Sequence, residues 1–209
     1  RDFVAENAKS ARAFLAAAGM PCALRELRIE VLDGDTRMDS LRVLLTPLRE
    51  GRALGLLSDA GCPAIADPGA PLIAAAHREG YCVVPLIGPS SIMLALMASG
   101  LEGQRFAFWG YLPREKDARD ARIRELERRS REDRATQVFI ETPYRNDAMI
   151  SSLLRACSAE SQLCIASNLT SPQESIGTRS IAAWRAQPPS PARRPSVYML
   201  LAQRRGINP

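Results

Sequence analysis

Residues 57–69 read Leu-Ser-Asp-Ala-Gly-Cys-Pro-Ala-Ile-Ala-Asp-Pro-Gly, a stretch rich in the residues that form tight turns. The short apolar run at 53–57 leads into it and is typical of a buried strand. A helical pattern around Leu72 and Ile73 follows and stops at Gly80. The order strand, turn, helix predicts one repeat of a parallel α/β sheet.

The same order of elements recurs directly afterwards. Residues 81–86 read as a second buried strand, and Gly88-Pro89-Ser90-Ser91 reads as a turn. An apolar helix over 92–98 comes next, with Ser90 or Ser91 placed as its N-cap. Two successive repeats predict an α/β protein whose first sheet is mostly parallel and belongs to an N-terminal lobe of residues 1–102.

The start of the chain carries a helical stripe rather than a strand pattern. Apolar residues recur at helical spacing until Gly19-Met20-Pro21 ends them. We therefore expect the first element to be a helix, and the first strand of the sheet and the loop after it to be missing. The residues of the stripe are Val4, Ala8, Ala11, Leu15 and Ala18.

The second half of the chain reads as a separate lobe. Residues 103–113 form an extended aromatic pattern, interpreted as a linker, so the C-terminal lobe spans 114–209. A mostly solvated helix is expected over 114–134, because only Ile123 and Leu126 anchor it. Two late strands around a proline-rich loop indicate an antiparallel component, so the second sheet is expected to be mixed. The predicted elements are strands 137–141, 162–166, 175–181 and 196–202, helix 145–157 and loop 188–195.

Composition narrows the class of protein. The chain is 46% hydrophobic and 24% charged, as in ordinary globular proteins. Its five cysteines form no Cys-x-x-Cys pair, so free thiols in a reducing cytoplasmic compartment are expected, with no structural zinc. The most apolar stretch, around 92–97, is far too short to cross a bilayer, and no membrane association is expected.

The positive charge lies in the second half. Residues 1–103 contain 10 Lys/Arg and 12 Asp/Glu, whereas residues 104–209 contain 18 and 11. A basic half is compatible with a phosphate-rich partner such as RNA. A solvated arginine-rich surface is the alternative explanation.

Two loops have the composition of a ligand site. In parallel sheets, ligands bind outside the carboxyl ends of the strands, where backbone amides are unpaired. Residues 59–69 offer a backbone that a ligand can approach closely, and residues 88–91 offer two hydroxyls and the first amides of a helix. Turn formation and helix capping explain the same residues equally well.

Several other chemistries lose support. His77 is the only histidine and lies in a helical stretch, which excludes histidine-dependent hydrolase triads and histidine-rich metal sites. The phosphate loop of NTPases and the G-x-G-x-x-G motif of dinucleotide-binding proteins are both absent. A Ser/Lys or carboxylate mechanism stays open, and no metal site is expected.

The motifs together resemble the tetrapyrrole methylase superfamily. The resemblance rests on residues 57–69, on Pro85-Leu86-Ile87-Gly88-Pro89-Ser90-Ser91 and on Ala98-Ser99-Gly100-Leu101. Within that superfamily, the motifs most resemble the small-subunit ribosomal RNA ribose 2′-O-methyltransferases, the methyltransferase I group. Further matches cover nearly the whole chain and comprise residues 106–114, residues 139–145, and Asn168-Leu169-Thr170 with Glu174.

The resemblance implies a two-lobed fold with S-adenosylmethionine in the cleft between the lobes, in a homodimer. By the family pattern, the 59–62 loop contacts the amino-acid part of the cofactor, a serine pair lines its nucleoside, and second-lobe residues complete the adenosine side. The implied residues are, in that order, Asp59, Ala60, Gly61, Cys62 with Ile65, then Ser90 and Ser91, then Glu141, Thr142 and Leu169.

This chain also departs from the family pattern. Family members usually open with a strand and a Pro/Gly-rich loop, and Glu6-Asn7-Ala8-Lys9 stands where the ribosomal RNA enzymes carry Glu-Asp-Thr-Arg. Tyr144 stands where histidine is common. Three functions therefore stay open: methylation of a ribose 2′-hydroxyl of small-subunit ribosomal RNA, methylation of a tetrapyrrole or other small acceptor, and non-catalytic binding of cofactor or RNA.

Methyl transfer from a sulfonium needs few catalytic side chains, because the main task is to align donor and acceptor. Glu6 is the candidate proton acceptor for a hydroxyl, and Arg145 is the candidate to hold a phosphate or carboxylate of the acceptor. The alternatives are a charge favourable to a helix N-terminus for Glu6 and a salt bridge for Arg145.

Overall fold

Three parallel strands form the sheet of the first of two units, residues 1–90, in a computed structural model that describes residues 1–32, 34, 38–189 and 193–203. The strands are β1 (Asp2–Ala5), β2 (Arg28–Val31) and β3 (Leu54–Leu57), in the order β2-β1-β3. This confirms the parallel first sheet. A short 3₁₀ turn covers Leu24–Glu26, and the helices of this unit are α1 (Ala8–Ala17), α2 (Met38–Leu44), α3 (Thr46–Arg49) and α4 (Ala70–Arg78).

The first element is a strand, so the prediction of an opening helix was wrong, whereas the absence of the family's opening strand and loop stays a prediction. β1 is the central strand, and Val4 and Ala5 are fully buried in it. The helix starts only at Ala8, because Asn7 adopts extended backbone and its Oδ1 accepts the amides of Lys9 at 2.8 Å and Ser10 at 3.3 Å. A strand of four residues is too short to give a recognisable sequence pattern beside the helical spacing that follows it.

Residues 81–86 do not form the predicted strand. They pair with no strand of the described chain, and the side chains of Val84 and Leu86 are 69% and 87% exposed. Pro85 lacks an N–H for a ladder bond, which explains why an apolar run here stays outside the sheet. In contrast, β2 was missed although residues 27–31 alternate apolar and polar side chains.

The second unit, residues 91–209, carries a mixed five-stranded sheet in the order β4-β5-β8-β6-β7. β4 and β5 are parallel, and the other neighbours are antiparallel, which confirms the mixed second sheet and the α/β class. The strands are β4 (Phe106–Tyr111), β5 (Thr136–Glu141), β6 (Gln162–Ser167), β7 (Ser175–Ser180) and β8 (Ser196–Leu201). The helices are α5 (Ser91–Ser99), α6 (Lys116–Asp133), α7 (Asn146–Ala156) and α8 (Ile181–Ala186), with a 3₁₀ turn at Pro143–Arg145.

The segment interpreted as a linker, 103–113, contains β4, which hydrogen-bonds to β5 along the edge of the second sheet. The chain divides between Ser90 and Ser91 rather than after residue 102, because α5 buries Ile92, Ala95 and Leu96 against the second sheet. Residues 190–192 of the predicted 188–195 loop lie outside the described residues.

Helix α6 is anchored by buried charges as well as by Ile123 and Leu126, which corrects the prediction of a mostly solvated helix. Asp120 is 5% exposed and accepts from Arg155 Nη2 at 2.6 Å. Glu127 is 6% exposed and accepts from Ser161 Oγ at 2.5 Å. These hydrogen bonds satisfy carboxylates that sequence polarity alone assigns to solvent.

Both tryptophans lie in the second unit. Trp109 Nε1 donates to Gln137 Oε1 at 2.7 Å, and the Arg122 guanidinium lies 4.5 Å from the ring centroid. Trp184 is 8% exposed, and its Nε1 donates to the carbonyl of Leu163 at 2.8 Å. Each indole is therefore held by a directional bond within its own unit.

None of the helices described is long and apolar enough to span a membrane.

Gly55 is required by the close packing of β1 and β3. Phe3 is its direct partner across the ladder, and a Cβ at position 55 would lie 2.5 Å from Phe3 Cδ1. We expect Gly55→Ala to lower the free energy of unfolding by about 1–3 kcal/mol, because the ring must shift. Urea unfolding followed by far-UV circular dichroism measures this. Gly88→Ala is the matched control, since no atom lies within 4 Å of its Cβ position. Equal midpoints for the two variants would contradict the expectation.

Candidate functional site

The carboxyl ends of β1 and β3 bring two predicted site residues to one edge of the first sheet. Ala5 and Leu57 are ladder partners at the last position of each strand. Glu6 follows β1 directly, and Asp59 follows β3 by two residues. The pKa of Glu6 is raised, first by burial and then by the nearby carboxylates of Asp67 and Asp59. A carboxylate with a raised pKa accepts a proton more readily than an ordinary glutamate does.

The loop after β3 is held in an unusual backbone conformation by Asp67. Its Oδ1 accepts the amide of Ala64 at 3.1 Å and the amide of Gly69 at 2.9 Å. Ala64 and Ala66 both adopt the left-handed region, at φ of 66° and 58°. Non-glycine residues in this region are strained and concentrate at binding sites.

The tip of the same loop is exposed and in contact with the second candidate loop. Asp59, Ala60 and Gly61 are exposed, and the Sγ of half-buried Cys62 lies 3.5 Å from the carbonyl of Pro89. Ile65 is 49% exposed. The structure thus joins the two loops that the sequence singled out.

Ser10 is a residue of this region that the sequence did not single out. Its Oγ donates to Asp59 Oδ1 at 2.8 Å, from the first turn of α1. Ser90 is half-buried and ends the first unit, whereas Ser91 is exposed and begins α5. In the described chain, no group of three His, Cys, Asp or Glu side chains is arranged to hold a metal ion.

In the second unit, Glu141, Thr142 and Arg145 meet at the carboxyl end of β5. The Glu141 side chain is 1% exposed, and its Oε1 accepts the amide of Thr142 at 2.7 Å. Its Oε2 lies 2.7 Å from Arg145 Nη2. Oε1 is hydrogen-bonded, whereas buried Oε2 is paired with Arg145 by charge and accepts no hydrogen bond from the described residues. The salt bridge considered as the alternative role of Arg145 is present.

An open cavity of about 410 Å³ lies beside this pair. Tyr111 and Arg114 line it. The sequence predicted no role for either residue, although the aromatic-Leu-Pro-Arg run at the end of β4 was part of the family resemblance. A cavity of this volume is large enough to hold a small-molecule ligand or part of a larger one. Its lining consists of Tyr111, Leu112, Pro113, Arg114, Thr142 and Arg145.

Leu169 lies in the tight turn after β6. The residues on both sides of it, Asn168 and Thr170, have φ of 51° and 67°. Glu174 Oε2 accepts the Thr170 amide at 2.8 Å, and the Leu169 side chain packs against the apolar cluster that includes Ile92 and Val138. Leu169 is thus held in place by apolar packing and by a turn with two left-handed residues.

The raised pKa of Glu6 predicts a pH dependence of stability. The folded chain binds this proton more tightly than the unfolded chain, so the stability that the group contributes is present below its ordinary pKa of 4.5 and is lost as pH rises through the folded value. We expect Glu6→Gln to raise the free energy of unfolding at pH 7, by up to about 1 kcal/mol, and to flatten its pH dependence above 4.5. Urea titrations across pH measure this, with the exposed Glu30→Gln as control. A less stable Glu6→Gln protein at pH 7 would refute the assignment.

Comparison with known structures defines the fold. The chain is similar to the methyltransferase CobJ over 98% of this chain and 85% of that one, with a TM-score of 0.62 and 19% identity. It is also similar to uroporphyrin-III C-methyltransferase from Thermus thermophilus, complexed with S-adenyl homocysteine, over 96% of this chain and 97% of that one, with a TM-score of 0.52 and 18% identity. The fold is that of the tetrapyrrole methylases.

Sequence relatives are more specific. The chain is 37% identical over 135 residues to ribosomal RNA small subunit methyltransferase I of Vibrio cholerae, covering 65% of this chain and 46% of that protein. It is 33% identical over 183 residues to the protein of the same name from Xylella fastidiosa, covering 88% and 64%. The chain is therefore homologous to the methyltransferase I proteins, and the predicted resemblance is confirmed. It spans about half the length of the first of these relatives. No family model matches the sequence.

Proposed function

We propose that the protein is a methyltransferase that uses S-adenosylmethionine and that the cofactor binds at the loops 59–66 and 88–91, in a cleft completed by Glu141, Thr142 and Leu169. The homology to methyltransferase I proteins supports this, as does the strained loop that Asp67 holds at the end of β3. That loop is the single observation that carries the proposal, because strain of this kind is maintained where a ligand needs a fixed backbone.

The residues present fit such a cofactor. Gly61 has φ of 81°, and no atom of the described chain lies within 4 Å of its Cβ position, so a ligand can reach the bare backbone of Asp59, Ala60 and Gly61. The carboxylates of Glu6 and Asp59 give this edge a negative charge that suits a sulfonium cation. When bound, the cofactor supplies a methyl group on positively charged sulfur. The protein has to align an acceptor with it, and to exclude water.

The proposed acceptor is a ribose 2′-hydroxyl of small-subunit ribosomal RNA. The names of the curated relatives and the basic second half of the chain support an RNA acceptor. Glu6 would accept the proton of the hydroxyl, and Arg145 would hold an anionic group of the acceptor. A cytoplasmic location and a homodimer are proposed along with this function.

A tetrapyrrole or another small molecule is the second candidate acceptor, because the fold is shared with enzymes such as CobJ. The third candidate is a relative without activity that binds cofactor or RNA, motivated by Asn7-Ala8-Lys9 in place of Asp-Thr-Arg. The salt dependence of acceptor binding separates the first two, since RNA binding weakens steeply with salt.

Two measurements test the proposal. Titration calorimetry with S-adenosylmethionine and S-adenosylhomocysteine tests the cofactor independently of any acceptor, and absence of heat with both would remove the proposal. Incubation with small ribosomal subunits and methyl-labelled cofactor should then transfer label to RNA. Label on a small molecule alone would favour the second candidate, and cofactor binding with no transfer to any acceptor would favour the third.

A further inference from the structure

The cavity beside Glu141 and Arg145 is a cationic site. Two arginines, Arg114 and Arg145, line it, and among the described residues of its lining there is no acidic side chain. Glu141 lies beneath it and is 1% exposed, so its charge is engaged by Thr142 and Arg145 rather than presented to the cavity. An anion entering the cavity would therefore meet positive charge from two sides.

Arg145 is positioned with donors to spare. Its Nη2 is bound to Glu141 and lies 3.4 Å from the carbonyl of Leu112, and the side chain is 17% exposed. Its Nε and Nη1 make no hydrogen bond with any described residue. An arginine fixed at one nitrogen loses little further entropy when the others bind a ligand.

Arg114 is exposed on a fixed backbone. The buried Arg119 donates from Nη1 to the carbonyl of Arg114 at 2.7 Å and from Nε to Ser152 Oγ at 2.9 Å. Arg114 takes part in none of the ion pairs found within 4 Å among the described residues. Its charge is thus available to a ligand.

A bulge in β4 places Tyr111 at the same cavity. The register shifts between Phe108 and Tyr111, so Tyr111 rather than Gly110 lies opposite Ile140. Gly110 makes this possible with φ of 64°. The Tyr111 side chain is 57% exposed and lines the cavity, which leaves an aromatic ring beside two cations.

We propose that this cavity is a subsite for one nucleotide of single-stranded RNA, with its phosphate between Arg114 and Arg145 and its base stacked on Tyr111. The inference rests on the proposed function and names the substrate class that the second unit recognises. Arginine forks match phosphate geometry, and aromatic rings stack on unpaired bases. Neither feature requires a particular base, so the subsite would position RNA without selecting its sequence.

The test is the affinity of fluorescein-labelled oligouridine, measured by anisotropy at several salt concentrations. We expect Arg114→Gln to weaken binding about tenfold at low salt and to reduce the salt slope by about 0.7, the loss of one phosphate contact. Tyr111→Leu should weaken binding about fivefold or more with an unchanged slope. Arg124→Gln is the matched control, an exposed arginine of α6 outside the cavity, and should leave binding unchanged.

Arg145→Gln is informative only if the variant folds, because it leaves Glu141 without its cation; Arg114→Gln and Tyr111→Leu keep the test independent of that. Unchanged oligouridine affinity in both would overturn the subsite. A plain anion site would give a different set of results: Arg114→Gln weakens oligouridine binding, inorganic pyrophosphate competes with it fully, and Tyr111→Leu has no effect. That set would also overturn the subsite. Binding of a porphyrin carboxylate that depends on Arg114 would also overturn it.

Calorimetry with S-adenosylmethionine separates this inference from the proposed function. If the wild type gives heat with the cofactor, and Arg114→Gln keeps that heat but binds oligouridine more weakly, the result supports both the proposed function and the subsite. If the wild type gives heat with the cofactor, but substitutions of the cavity residues leave oligouridine binding unchanged, only the subsite is removed. Absence of heat in the wild type removes the proposed function, whether or not RNA binds at the cavity.

Discussion

Replacing Asp67 by alanine is expected to weaken binding of S-adenosylmethionine by about 100-fold. The substitution removes the acceptor of the Ala64 and Gly69 amides, and two hydrogen bonds to a charged group contribute about 3 kcal/mol together. Without them the left-handed backbone at Ala64 and Ala66 relaxes, and the 59–66 loop no longer presents one conformation.

Asp67→Asn is the matched control, because the amide oxygen can accept the same two bonds. It should keep the affinity within about threefold, since the loop is retained. Calorimetry gives the affinity, and hydrogen exchange of the 60–66 amides reports the loop without any cofactor. If alanine and asparagine at this position bind the cofactor equally, the loop is not held by Asp67 in the way described.

Replacing Arg145 by methionine is expected to lower the free energy of unfolding by about 3–5 kcal/mol. The Glu141 carboxylate is 1% exposed, and removal of its cation leaves a buried charge without compensation. The loss is much larger than the net value of the pair, because a buried carboxylate is costly once it is unpaired.

The double variant Glu141→Gln, Arg145→Met identifies the cause. Glutamine at 141 keeps an oxygen for the Thr142 amide and removes the charge, so the double variant should regain most of the stability that Arg145→Met loses. Urea unfolding followed by tryptophan fluorescence measures both variants against the unsubstituted protein. A double variant no more stable than Arg145→Met would show that packing of the arginine stem, rather than the buried charge, is what matters.

The turns were predictable from sequence because glycine, proline and aspartate act locally. Residues 57–69 specify the loop after β3 by themselves, and the family resemblance added Glu141 and Thr142 at the end of β5. In contrast, the strand at Asp2–Ala5 was not predictable from its own residues. It exists because β2 and β3 pair with it on both sides, a long-range condition that a helical stripe next to it conceals.

The parts of the site that the sequence missed depend on contacts between distant segments. Ser10 reaches Asp59 only because β1 and β3 are neighbours, and Tyr111 lines the cavity only because of a bulge in β4. In the sequence, Arg119 is one of many charged residues of a helix expected to be solvated. In the structure it donates a hydrogen bond to the Arg114 carbonyl. Composition and spacing carry no information on such pairings.

The placement of Trp109 and Trp184 makes indole emission a reporter of residues 91–209 alone. The first ninety residues, with the loop at Asp67 and the carboxylate of Glu6, are silent in that signal, whereas the amide signal in the far ultraviolet sums over both units. Different urea midpoints for the two signals would therefore reveal that the units melt separately, and Gly55→Ala should then shift only the amide curve.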